Sequence, residues 1–125
     1  MDPLEERFRR LSLNDEPLIE MLLGSRDDAW PPTLEAKTAA LVRIAALVAM
    51  DAETPTYQWA VTEALGCGAV PDEVLGVLVT IAPAVGQARV VSAAPKLGLA
   101  LGHDVLVALE GPRDIDDAST TKGDR

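Results

Sequence analysis

The sequence predicts an all-α protein, a small helical bundle of about five to seven helices. Prolines that follow a cap residue open successive apolar segments and glycines close them, as at the starts and stops of helices. Alternation of apolar and polar residues is rare, and the sequence has no Asn-Gly or Asp-Gly hairpin turn. Val77–Ile81 has strand propensity, but a lone strand would have no partner, and this run follows a strong helix start.

The chain begins with two weaker predicted helices, Pro3–Leu11 and Pro17–Leu23. The next predicted helix, Leu34–Met50, has Thr33 as its N-cap and Glu35 in its first turn, where the helix dipole favours an anion. Charged side chains are concentrated before this helix, so the helices that follow form the apolar middle of the chain.

Two further helices are predicted within this apolar middle. Thr54 is the expected N-cap of the first, with a proline at the first helical position, and the helix should end near Gly66–Gly68. Pro71 opens the second in the same way, with two carboxylates in its first turn. Pro83 and Gly86 should kink or end it.

The last predicted helices are Gln87–Leu101, which contains Pro95 and stops at Gly102, and a short one at Val105–Leu109. The residues beyond them are polar and lack apolar periodicity, which predicts a disordered tail. The predicted organisation is a helical lead at 1–33, a helical domain at 34–110 and a tail at 111–125.

Composition narrows the possible partners. Eleven basic residues against twenty acidic ones give a net charge of −9, which argues against a nucleic-acid partner. The longest run without charge, Val74–Ala88, has 15 residues, short of the ~20 that a membrane span needs. One cysteine and one histidine cannot supply a disulfide or a structural zinc site, so we expect no metal and no cofactor. The expected location is cytoplasmic, because no basic region precedes an apolar stretch at the start.

The two helices between Val74 and Leu101 are apolar on nearly every side. A helix that is hydrophobic all round has to be buried all round, and a small domain cannot surround both helices by itself. We therefore expect partner subunits to cover them. The alternative is that the N-terminal lead folds back over this surface.

Three consecutive pieces, Leu34–Arg43, Trp59–Gly68 and Ala69–Val74, precede an apolar run to Gly86. This order of helix, glycine-closed helix, acidic loop and apolar helix resembles the carboxymuconolactone decarboxylase and alkylhydroperoxidase D-like family. The resemblance implies an all-α bundle that assembles as a homotrimer or homohexamer. It also implies an apolar pocket for a small organic acid or lactone, with proton-transfer chemistry such as decarboxylation.

The chain departs from the redox branch of that family. The two cysteines and the histidine of that branch would fall on Glu53, Thr56 and Ala60, none of which can perform dithiol exchange. The decarboxylase branch usually keeps a histidine where Ala60 stands, so another group would have to move the proton. We expect lyase-type chemistry ahead of peroxidase chemistry, with a residual peroxidase that uses Cys67 as a third interpretation.

Thr56, Ala60, Glu63 and Cys67 are spaced four, three and four residues apart, which places them on one helical face. If the pocket occupies the family's usual place, this face would line it, and Glu63 is the candidate catalytic acid or base. The alternative is a solvated or ion-paired glutamate. Cys67 could be a reactive thiol, but we expect a small buried hydrophobe.

Arg43 and Arg89 are the candidate ligands for a substrate carboxylate, because a guanidinium forms a bidentate fork. The alternative is an ion pair with Asp51, Glu53 or Glu63.

Tyr57 and Trp59 could form a wall of the pocket, although packing in the core or at an interface is expected. His103 follows a glycine at a helix junction, where we expect a surface or capping role. The leading hypothesis is a decarboxylase-like protein that binds a small organic acid or lactone. The alternative, from a different class, is a non-catalytic oligomeric binding or scaffold protein of the same fold.

Overall fold

The computed structural model describes residues 2–24 and 33–103. Within these residues the chain forms six helices and no strand, which confirms the predicted all-α bundle. The predicted helix Val105–Leu109 and the predicted tail at 111–125 lie outside the described residues. The helices are α1 (Pro3–Ser12), α2 (Glu16–Gly24), α3 (Ala36–Ala49), α4 (Thr54–Gly66), α5 (Pro71–Val85) and α6 (Gln87–Ala100).

The chain divides into two compact units, Met1–Thr33 and Leu34–Arg125. In the first unit, the backbone N–H of Leu4 donates to the Asp2 side chain at 2.8 Å and thereby caps the start of α1. Asn14 adopts a left-handed conformation, φ 56°, in the turn between α1 and α2. Because Asn tolerates this conformation, the turn forms without a glycine.

The second unit is a four-helix arrangement in which α3 packs against α4 and α5, and α6 packs against the same two helices. Each helix contributes a stripe of buried side chains at intervals of three or four residues, which places them on one face. The residues of this core are Ala40, Ile44 and Val48 of α3, Tyr57, Ala60, Val61 and Ala64 of α4, Val74 and Leu78 of α5, Ala93 and Leu97 of α6, and Ala69 in a loop.

Two predicted helix caps are wrong by one or two residues. The N-cap of α3 is Glu35 rather than Thr33, and the N-cap of α4 is Glu53 rather than Thr54. The error at α4 has a physical reason. None of the first N–H groups of a helix has an intrahelical partner, so Pro55 fits the second helical position as well as the first.

The connection between α5 and α6 is a single residue, Gly86. Its backbone lies at φ 89° and ψ 164°, a region that is essentially open to glycine alone. Pro83 lies inside α5 without ending it, and α5 continues to Val85. Gly86 therefore ends α5 and sets the direction of α6.

The buried stripe of α3 makes the fold testable by one substitution. Ile44 is fully buried, so Ile44→Ala should lower the free energy of unfolding by about 2–5 kcal/mol in a urea titration. Val42, two residues earlier, is more than half exposed, and Val42→Ala should change that free energy by no more than about 0.5 kcal/mol. Equal effects of the two substitutions would contradict the assigned face of α3.

Candidate functional site

The face of α4 that the spacing predicts does not have a uniform environment. Thr56 and Cys67 are exposed, Ala60 is buried in the core, and Glu63 is intermediate. The environment along this face therefore changes from solvent at Thr56 to the core at Ala60 and back to solvent at Cys67. The face lies at the edge where α4 meets α3. Of the four, Glu63 alone combines an ionisable side chain with partial shielding from solvent.

Glu63 and Arg43 form an ion pair between α4 and α3. Glu63 Oε1 lies 3.8 Å from Arg43 Nη1, and this oxygen has no contact with solvent. The Glu63 side chain is 25% exposed, whereas the guanidinium side chain is 40% exposed. The structure therefore shows the ion-paired alternative for Arg43, and it leaves part of the guanidinium accessible.

Arg89 lies beside a different acid. It is exposed, and its charge contributes to a lowered pKa of the Asp51 carboxyl. The main cause of that lowered pKa is a hydrogen bond from the Ser92 hydroxyl at 2.7 Å, and Lys96, 3.8 Å away, adds to it. Arg43 and Arg89 thus face separate carboxylates, and the structure does not bring them together at one site.

Lys96 links α6 to the start of α4, a contact that the sequence analysis missed. Its ammonium donates to the carbonyl of Ala52 at 3.0 Å and lies 3.8 Å from carboxylate oxygens of both Asp51 and Glu53. The partners are more than 40 residues apart in the chain, and no sequence spacing signals such a contact.

The two candidate aromatic residues lie in opposite environments. Tyr57 is fully buried, and its hydroxyl donates to the carbonyl of Leu47 at 3.2 Å. Burial raises the pKa of Tyr57, and the negative charge of Asp51 acts in the same direction. Trp59, two residues later, is exposed. Tyr57 therefore belongs to the core, as the packing alternative expected.

Cys67 is an exposed free thiol, so the expectation of a buried position is wrong. α4 ends at Gly66, and Cys67 occupies the C-cap, where the chain leaves the core and turns through Gly68 at φ 97°. His103 is also exposed, and its backbone N–H donates to the carbonyl of Gly98 at 2.8 Å, which closes the last turn of α6.

Two grooves flank α5, and neither is predicted from the sequence. We call them the α3–α5 groove, of about 570 Å³, and the α5–α6 groove, of about 790 Å³. The α3–α5 groove is lined by Thr38, Leu41, Val42, Ala45, Asp72, Glu73, Gly76, Val77, Thr80 and Ile81. The α5–α6 groove is lined by Pro71, Asp72, Val74, Leu75, Leu78, Val91, Ala94, Pro95, Leu97, Gly98, Leu101 and His103.

The first turn of α5 carries the charged groups of these grooves. Glu73 accepts a hydrogen bond from the backbone N–H of Val70 at 3.0 Å and another from the Lys37 ammonium at 3.0 Å. These two bonds, the backbone one first, lower the pKa of the Glu73 carboxyl. Asp72 lines both grooves, and it is the residue that they share.

Within residues 2–24 and 33–103, His, Cys, Asp and Glu side chains nowhere form a group of three or more that could hold a metal ion. In the same residues, none of the helices has the length and apolar content needed to cross a membrane.

Comparison of the chain with protein-family models, with curated proteins and with solved structures finds no match. The resemblance to the carboxymuconolactone decarboxylase and alkylhydroperoxidase D-like family therefore stays a prediction from the motifs.

The Arg43–Glu63 pair can be measured by a double-mutant cycle. Arg43→Met and Glu63→Gln should show a coupling energy of about 0.5–1 kcal/mol in urea unfolding, because both side chains are partly exposed. Arg43→Met combined with Glu53→Gln is the control and should show additive effects, since Glu53 faces Lys96 instead. Additive effects in the first cycle as well would show that the pair makes no energetic contribution.

Proposed function

We propose that this chain is a non-catalytic subunit that self-associates, an oligomeric binding or scaffold protein. The observation that carries the proposal is the exposure of large apolar side chains along α5 and α6. Leu75 is 58% exposed, Val79 66% and Val91 62%. A contiguous apolar surface on a small domain is typical of a protein interface.

The occupant that we propose for this surface is a second copy of the chain. Among the residues lining the α5–α6 groove, Asp72 and His103 are the titratable ones, and the rest are apolar or glycine. Two copies that each carry a net charge of −9 repel one another over most of their surfaces. Contact between copies is therefore favoured where charge is sparse and apolar area is large.

The shape of this surface also suits self-association. α5 lies between the two grooves, so it forms a ridge beside the apolar α5–α6 groove. In a two-fold interface the same patch of each copy meets the other, and a ridge beside a groove is self-complementary. A head-to-tail contact, in which the α5 ridge of one copy enters the groove of the next, would instead close into the homotrimer that the family resemblance implies, and two-fold contacts between trimers would give the homohexamer.

If the chain self-associates through this surface, its mass in solution should depend on Val79. Light scattering on the wild type should give a multiple of the 13.2 kDa chain mass, and added salt should strengthen the association by screening the negative charge. Val79→Glu places a charge on the proposed contact and should shift the mass to that of a single chain.

Gln58→Glu adds the same charge at an exposed position of α4 and is the matched control, expected to keep the wild-type mass. Circular dichroism establishes that both variants remain helical. A wild-type mass of one chain at every concentration tested would refute the proposal.

A second candidate is the binding of a small organic acid or lactone with proton transfer at the Arg43–Glu63 pair. The observation that favours it is the shielding of Glu63 Oε1 beside a guanidinium that is itself partly accessible. The accessible part of Arg43 can take a substrate carboxylate by a charge-assisted fork, and Glu63 can move a proton. Thr56 and Trp59 are exposed on the same helix as Glu63, where they could contact such a substrate.

This second function predicts a reaction that depends on Glu63. Carbon dioxide release from a carboxylated lactone should fall by about 10²- to 10⁴-fold in Glu63→Gln, as expected on removal of a general acid or base. Glu20→Gln, at an exposed position of α2, is the matched control and should retain the wild-type rate. Absence of carbon dioxide release from the wild type would reject this candidate and leave self-association unaffected.

A further inference from the structure

We propose that the α3–α5 groove binds a small apolar molecule that carries one protonated amine, with Asp72 as the counter-ion. This site is distinct from the Arg43–Glu63 pair, and it shares only Asp72 with the α5–α6 groove. It does not depend on either function proposed above.

The size and walls of the groove suit an apolar ligand. Its volume of about 570 Å³ lies within the ~300–1,000 Å³ that is usual for small-molecule sites. Leu41 and Val42 form the wall on α3, and Val77 and Ile81 form the wall on α5. Val42 is 52% exposed, so this wall offers apolar surface that a ligand can remove from water.

Gly76 keeps the groove open at its middle. A Cβ atom built at this position would meet no neighbouring atom within 4 Å. Glycine inside a helix lowers stability by roughly 0.5–1 kcal/mol relative to alanine. No close contact requires Gly76 to lack a side chain. A side chain at this position would project into free space, which makes Gly76 the place to block the groove without disturbing the core.

The charges at one end of the groove select a cation. The first turns of α3 and α5 meet there, because Lys37 of α3 bonds to Glu73 of α5 at 3.0 Å. Glu35 is held at the same end through Thr38, whose hydroxyl donates to it at 3.0 Å. Asp72 completes this acidic set and lines the groove directly.

The balance of these charges leaves room for one positive group. Among the described residues that line this end of the groove or bond to its lining, Glu35, Asp72 and Glu73 supply three carboxylates and Lys37 supplies one ammonium, and the two helix N-termini are worth about half a positive charge each. About one negative charge is left over. Glu73 is already bonded to Lys37 and to the Val70 backbone, so Asp72 is the carboxylate best placed to receive a ligand ammonium.

Three probes of equal chain length separate the charge from the apolar contact: octylamine, octanol and octanoate, each titrated into the full chain by calorimetry. We expect octylamine to bind more tightly than octanol, and octanoate to bind most weakly. Asp72→Asn should weaken octylamine binding by about twofold to fivefold, the range for an exposed ion pair, and leave octanol binding unchanged.

Gly76→Leu should abolish octylamine binding by filling the groove. Gly66→Leu is the matched control: Gly66 also has open space at its Cβ position, but it lies in α4, away from the groove, and the variant should bind as the wild type does. Circular dichroism on each variant establishes that the bundle is intact.

Octanoate binding as tight as octylamine binding would overturn the assigned charge preference. Unchanged octylamine binding in Gly76→Leu would overturn the assigned groove. A change in mass by light scattering in Gly76→Leu would assign the groove to a second copy of the chain and would also overturn the proposal.

Discussion

Each of the helices α3–α6 buries one narrow stripe of side chains, and this constraint shapes the rest of the second unit. On α5 the stripe consists of Val74 and Leu78, while Leu75 and Val79, each the next residue along, point to solvent. A helix of 3.6 residues per turn in contact with neighbours on one side cannot bury both pairs. The second unit has more apolar residues than its own core accommodates, and part of this excess, Val42, Leu75 and Val91, lines the grooves beside α5.

The helix starts and stops were predictable because they depend on local chemistry. Pro71 begins α5. Gly86 ends it in a backbone conformation that residues with a Cβ atom rarely adopt. The errors are equally local. Thr33 and Thr54 were predicted as caps because threonine is a good cap residue, yet the caps are the glutamates Glu35 and Glu53, whose side chains form no cap hydrogen bond. Sequence indicates that a cap is needed within a residue or two and does not fix which residue supplies it.

Two features of the candidate site are predictable from the sequence. One is the set of residues that share a helix face, and the other is the choice of side chains that can form ion pairs. The spacing along α4 indicates Glu63, and the sequence leaves open the ion pair with Arg43 that the structure has. The exposure of Cys67 and the contacts of Lys96 were not predictable, because each depends on where another segment lies in space. The grooves belong to the same class. A groove is a property of two packed helices, and only the apolar excess of α5 could have pointed to it.

Asp72 links the two surfaces of α5, because it lines the groove on either side. A second copy of the chain on the proposed α5–α6 surface would remove water from this carboxylate, and burying the charge costs free energy unless a cation lies nearby. An ammonium in the α3–α5 groove is such a cation, so it would lower the cost of burying Asp72. By thermodynamic reciprocity, association of copies would then strengthen the binding of the ammonium by the same factor. The two proposals together therefore imply a coupling of the two grooves through this one side chain, and the coupling disappears when that side chain carries no charge.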